Sequence, residues 1–243
     1  SQIALQDLSA FVPAFKNFTD TLELTAEAEG NVNDFNLQQL TLRFGEKMLF
    51  IGQMALSDIT HPKDAYLNGK INKLYLTTAG LHDLAQNLSE QPVRLPDPLM
   101  RLGTINFSGE ISGFADNLTA HGKLASAIGS LQLDVVFGAE REKQIAAFLQ
   151  GKIASSELQL HELFGANNPF GKALFQIDLN AQKPVGGQFG GKIAANIQAF
   201  DYKGYTYHDL QLNGVFSSDR FDGTIQLDDP NVRLHAEGLF QHQ

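Results

Sequence analysis

Cysteine does not occur among the 243 residues. Disulfides, zinc–thiolate sites and thiol nucleophiles are therefore excluded. Tryptophan is absent too, although the chain has 18 Phe and 5 Tyr. Glycan platforms commonly stack sugars on Trp and Tyr, so a Phe-dominated set reads more simply as an apolar lining. Basic residues are scarce: Lys plus Arg total 18 against 27 Asp plus Glu, a net charge of −9. With no basic cluster, neither nucleic acid nor an anionic lipid surface finds a patch that would neutralise it. Long apolar runs are missing as well. A stretch such as "MLFIG" at 48–52 falls far short of the ~20 residues a membrane-spanning helix needs. The chain opens at Ser1 with no basic segment leading into an apolar one, and the expectation is a soluble piece of a longer protein.

What is present is alternation. Hydrophobic residues make up 43% of the chain, enough for a core at this length. In "TINFSGEISG" at 104–113, Ile105, Phe107 and Ile111 alternate with Asn106, Ser108 and Glu110. In "TLELTAEAEG" at 21–30, Leu22 and Leu24 alternate with Glu23 and Thr25. Successive strand side chains point to opposite faces, so each stretch is a strand with one apolar and one wet face. The same rhythm sets Leu42 with Phe44, Leu131 with Leu133, and Phe175 with Ile177 and Leu179. It also sets Leu210 with Leu212, Ile225 with Leu227, and Leu234 with Ala236. Turn residues punctuate these runs, as in "DYKG" at 201–204 and "DDPN" at 228–231. The spacing predicts antiparallel neighbours and roughly a dozen to fourteen strands. Loose repeat units fall at about 21–90, 104–165 and 172–243 within one continuous β-repeat segment, 1–243.

Helix is expected at few places. Residues 5–17 suit a short helix limited by Pro13. "TAGLHDLAQNL" at 78–88 puts Leu81, Leu84, Ala85 and Leu88 on one face, with Thr78 as the N-cap. "ELQLHELFG" at 157–165 suits a single turn closed by Gly165. The Pro-rich "QPVRLPDP" at 91–98 reads as a connection.

Chemical motifs fail on inspection. "GGQFGGKI" at 186–193 fits the frame of a phosphate-binding loop, but Ile193 stands where Ser or Thr should meet magnesium, and an alternating strand follows. "HELFG" at 161–165 lacks the second His of a zinc-protease helix. Asp228 and Asp229 precede Pro230-Asn231, a turn rather than an acid–base pair. No catalytic residue, metal site or cofactor is expected. Sequons at Asn17, Asn87 and Asn117 matter only in a eukaryotic secreted protein.

Several longer phrases do point to a family. "AFDYKGYTYHDLQLNGVFSSDRFDGTIQLDDPNVRLHAEGLF" at 199–240, "LPDPLMRLGTINFSGEISGFADNLTAHGKLASAIGSLQLDV" at 95–135 and "LSDITHPKDAYLNGKINKLYLTTAGLHDLAQNL" at 56–88 resemble the repeated segments of TamB-like proteins, within the wider AsmA-like group. The resemblance covers nearly the whole chain through degenerate motifs in a fairly specific order.

It implies a periplasmic protein of a double-membrane bacterium, anchored in the inner membrane in its full-length form. It implies an all-β, mostly antiparallel open sheet, curled as a half-pipe with an apolar inner face. It further implies phospholipid transfer between membranes and outer-membrane protein assembly with a β-barrel partner. Fourteen strands ~4.8 Å apart would build a trough on the order of 65 Å long. The lining expected from the alternation is Leu22, Leu24, Leu42, Phe44, Ile105, Phe107, Leu131, Leu133, Phe175, Ile177, Leu179, Leu210, Leu212, Ile225, Leu227 and Leu234. Acyl chains of phospholipid are the expected ligand, and a homodimer covering the exposed face is a further expectation. Pattern alone also fits a β-sandwich, with an adhesin or glycan-binding module as the alternative function.

Overall fold

The computed structural model describes residues 2–4, 21–31, 33–61, 64–88, 95, 97–114, 116–165 and 168–241. Its strands are β1 (Gln2–Ala4), β2 (Thr21–Gly30), β3 (Phe35–Phe44), β4 (Met48–Ser57), β5 (Tyr66–Leu76), β6 (Ile105–Phe114) and β7 (Asn117–Ser126). They continue as β8 (Gly129–Glu140), β9 (Ile145–Gln159), β10 (Phe170–Pro184), β11 (Gly190–Tyr202), β12 (Tyr205–Phe216), β13 (Arg220–Asp228) and β14 (Arg233–Gln241). These form one open sheet of fourteen strands whose spatial order is the chain order. The sandwich alternative is thereby set aside, since a second sheet would require the strand succession to break.

Among the described residues three short α-helices accompany the sheet: α1 (Thr78–Leu88), α2 (Asp97–Arg101) and α3 (Leu160–Phe164). The expected helix at 78–88 is present, but its cap is one residue earlier than expected. The Thr77 hydroxyl accepts the Gly80 N–H at 3.0 Å, while the Thr78 hydroxyl donates to the Gly103 carbonyl. Helix α2 begins at the end of the segment 91–98 expected to be a connection and runs three residues past it; Pro98 is tolerated there because a first-turn N–H has no intrahelical partner. Helix α3 is the single turn expected, closed by the Gly165 N–H on the His161 carbonyl. The helix expected within 5–17 lies outside the described residues.

Contacts divide the chain into unit 1 (Ser1–Ala115 and Gly122–Ala127) and unit 2 (Asp116–His121 and Ile128–Gln243). In unit 1 the register builds cross-strand rows on the apolar face. One row is Leu22, Phe44, Met48, Leu76 and Ile105; the next is Leu24, Leu42, Phe50, Leu74 and Phe107. Helix α1 sits against the β3–β4 turn. The Thr77 N–H donates to the Lys47 carbonyl at 2.9 Å, and Lys47 pairs with Asp83 at 2.7 Å. A Cβ on Gly80 would stand 2.6 Å from that same carbonyl, so only glycine lets the helix come this close.

In unit 2 a comparable row crosses seven strands: Leu133, Ile153, Ile177, Ala195, Leu212, Ile225 and Ala236. Beside it run Leu131, Ser155, Phe175, Ile197, Leu210, Leu227 and Leu234. Ser155 is buried in that row because its hydroxyl donates to the Ala173 carbonyl at 3.2 Å. The β11–β12 turn is Lys203–Gly204, with φ of 49° and 84°. Two consecutive positive φ values are those of a two-residue hairpin turn matched to the sheet's right-handed twist.

Candidate functional site

All sixteen expected lining residues fall on the apolar rows, but the rows differ in what they leave available. Phe44, Ile105 and Phe107 in unit 1 are each under a tenth exposed. Their apolar surface is consumed within the unit: a Cβ on Gly122 would meet the Phe107 ring at 3.0 Å. Leu24 and Leu42 are half-buried; for Leu22 the backbone register alone is described. In unit 2 only Phe175 and Leu227 are buried. Leu131, Leu133, Ile177, Leu179, Leu210, Leu212 and Ile225 are half-buried, as Leu24 and Leu42 are, and Leu234 is 48% exposed.

Small residues explain that openness. A third row in unit 2 reads Val135, Gly151, Leu179, Ile193, Gly214, Gly223 and Gly238. A Cβ at Gly214 would lie 2.4 Å from the Asp222 carbonyl oxygen, and one at Gly223 2.2 Å from that of Asn213. The backbones approach too closely for any larger residue. On β12 to β14 this row is a lane with no side chains. It is flanked by Leu212, Ile225 and Ala236 on one side and by Phe216, Phe221 and Phe240 on the other.

An aromatic group ends the apolar face of unit 2, and the sequence reading did not single it out. Phe200 stacks on Tyr207 with centroids 5.3 Å apart, and Tyr207 meets Tyr205 edge-on at 4.6 Å. Phe170 lies 5.2 Å from Tyr202 and 6.3 Å from Phe200. Strict alternation from Leu210 and Ile197 would put Tyr207 and Phe200 on the polar face. An extra residue in each strand, between Ile197 and Ala199 and between His208 and Leu210, reverses the alternation. Asp209 there has φ 54°, and Gln198 carries a buried Oε1 with no partner among the described residues. "YKGYTY" was the available signal; the bulges were not readable from it.

Asp229 anchors this end. It is 1% exposed and accepts hydrogen bonds from the Tyr205 hydroxyl (2.9 Å), the Asn231 N–H (2.9 Å) and the His208 N–H (3.0 Å). The His208 ring nitrogen stands 3.4 Å away. Burial pushes the carboxyl's pKa up, but these bonds outweigh it and leave it below the ordinary aspartate value. The expected turn at 228–231 is therefore present, with Asp229 as its organiser rather than a proton donor in a cleft.

The opposite face of unit 2 is polar and holds an open depression of about 850 Å³. Cross-strand amides Gln132, Gln176, Asn196, Gln211 and Gln226 line it, with Asp134, Lys152 and Asp178 in the adjacent row. Among the described residues, no group of three His, Asp or Glu could hold a metal ion, and no helix is long and apolar enough to cross a membrane.

No protein-family model, curated protein or solved structure matches the chain.

Proposed function

We propose that the chain is a lipid-binding segment of a TamB-like periplasmic protein, which carries phospholipid acyl chains between the inner and outer membranes without catalysis. In its full-length form it would be anchored in the inner membrane, meet an outer-membrane β-barrel and support outer-membrane protein assembly. A second copy covering the open face is part of the same proposal. The observation that carries it is the aliphatic ladder of unit 2, half-buried except at the buried Ala195. The row from Leu133 through Ile177, Leu212 and Ile225 is contiguous across seven strands and offers no polar group. An acyl chain asks for contiguous hydrocarbon and no hydrogen bonds. Each methylene withdrawn from water gains ~0.8 kcal/mol. Rows of near-equivalent Leu, Ile and Ala let a tail shift from strand to strand at little net cost.

The test is native mass spectrometry of the purified chain with organic extraction of what co-purifies. One or more phospholipids per chain, lost in Leu133→Asp or Ile225→Asp while the fold persists, is the expected result. A folded, lipid-free chain that also refuses added fluorescent phospholipid would overturn it. A second reading, a glycan-binding module, is favoured by the amide-lined depression on the polar face, since amides donate and accept as sugar hydroxyls do. Neutral oligosaccharide binding lost in Gln176→Ala plus Asn196→Ala would select that reading.

A further inference from the structure

The aromatic end of unit 2 grades from charge to hydrocarbon over a few residues. At the β11–β12 turn the Lys203 ammonium lies 5.4 Å from the centre of the Tyr202 ring. No carboxylate stands within ion-pair distance of it among the described residues. Next come the half-buried phenols of Tyr202 and Tyr207. Their hydroxyls, unlike that of Tyr205, have no hydrogen-bond partner among the described residues. Inward from them on the same face lies the row Phe175, Ile197, Leu210 and Leu227. A phenol is apolar along its body and polar at its tip, and an unpaired one at such a boundary is a donor awaiting an acceptor.

Of the carboxylates at this end, Asp201 and Asp229 are already engaged, and Asp209 is exposed two residues from Tyr207. Asp201 accepts the Thr206 hydroxyl at 2.6 Å and the Lys172 N–H at 3.3 Å; Asp229 is covered and accepts the bonds described above. An anionic head would find one ammonium and two hydroxyl donors that have no partner among the described residues.

We propose that Lys203, Tyr202 and Tyr207 form a seat for the phosphate of an amphiphile whose tail lies against Phe175, Leu210 and Leu227. The proposal rests on the reading of unit 2's apolar face as a lipid surface, and it names the end at which the head sits. Phosphate oxygens accept the two phenolic protons and the ammonium proton, and the rings cover the first carbons of the tail.

Calorimetric titration of the whole chain with decyl phosphate, decanol, decyltrimethylammonium and inorganic phosphate tests it, each used below micelle formation. The variant is Tyr202→Phe with Tyr207→Phe and Lys203→Gln, which keeps every ring and so the packing. The expected result is an affinity loss of about tenfold for decyl phosphate, with decanol binding and thermal melting unchanged; Lys203→Arg alone should retain binding. Equal decyl phosphate affinity in parent and variant, with decanol still bound, would sink the seat and leave the lipid reading standing. A parent chain that binds neither decyl phosphate nor decanol would remove the lipid reading and the seat together. Tighter binding of decyltrimethylammonium would make the rings a cation site, and inorganic phosphate binding as tightly as decyl phosphate would make the turn a free-anion site. Either result overturns the proposal.

Discussion

Unit 1 and unit 2 carry the same kind of apolar ladder but spend it differently. In unit 1 large side chains cover one another: Leu40, Phe44, Phe50, Ile71, Leu76, Ile105 and Phe107 are all under a tenth exposed. Helix α1 is fastened to the β3–β4 turn by Lys47–Asp83 and by the backbone bond at Thr77. In unit 2 the buried set joins Ala173, Ala181 and Ala195 to Ile128, Val135, Phe148, Leu158, Phe175 and Leu227, and a glycine lane crosses β12 to β14. Replacing bulk by Ala and Gly keeps the strands paired while leaving aliphatic surface uncovered. One unit uses its apolar face for stability, and the other keeps much of it in reserve.

The sharpest way to break this contrast is a charge on each face. Phe107→Asp places an unpaired carboxylate where the ring is 7% exposed, and the expected loss exceeds ~4 kcal/mol, enough to unfold unit 1. Ile225→Asp, at a half-buried site, should leave unit 2 folded and remove lipid. Thermal melting monitored by circular dichroism separates the two; equal damage would mean the faces are alike. Next in size, Leu40→Ala, at 1% exposure, should cost about 3 kcal/mol in urea unfolding. Leu234→Ala, at 48% exposure, should cost well under ~1 kcal/mol. Smaller again, Thr77→Ala removes the cap of α1 and should cost ~1 kcal/mol; no change would mean that packing alone holds the helix.

The smallest effects are in the turns. In unit 1 the His61 ring nitrogen meets the Asp58 carboxylate at 2.7 Å. That bond raises the His61 pKa and lowers that of Asp58. The His61 contribution is complete below the imidazole's ordinary value of 6.5 and is lost as pH rises through its elevated folded value. The Asp58 contribution is complete above 3.8 and is lost as pH falls through its depressed folded value. In unit 2 Asp229 behaves as Asp58 does, fading only in acid. Amide hydrogen exchange between pH 6 and 8.5, corrected for intrinsic rates, should therefore loosen the 58–61 turn and leave the 228–232 turn unmoved. His61→Gln should abolish the change.

Much of the sheet could be read from alternation, because period two is local and each of these strands has one wet face. Leu212 and Ile225 needed only their neighbours in sequence to be assigned a face. Phe200 and Tyr207 did not fit that reading, because the extra residues near Gln198 and Asp209 reverse the alternation and nothing in the side chains marks a bulge. Phe107 and Ile177 look alike as alternating residues, yet one is covered and the other only half-buried. That difference depends on what packs above them, a tertiary property that period two does not carry. Thr77 and Thr78 are equally good caps by type, and the helix entry geometry chose the first. Asp229 was read correctly as a turn residue, but its burial depends on Tyr205, twenty-four positions earlier.

The strand order has a consequence for assembly. Every strand after β1 pairs with its predecessor in sequence, and outside the β1–β2 and β5–β6 connections the segments that must close are of about ten residues or fewer, so loop-closure entropy stays small at those steps. Growth resembles a zipper: each new hairpin docks on an edge that already exists, with stability accumulating through nearest-neighbour interfaces. A ribosome could therefore deliver this chain in order, and a stalled product ending after any completed hairpin would keep the strands already laid down.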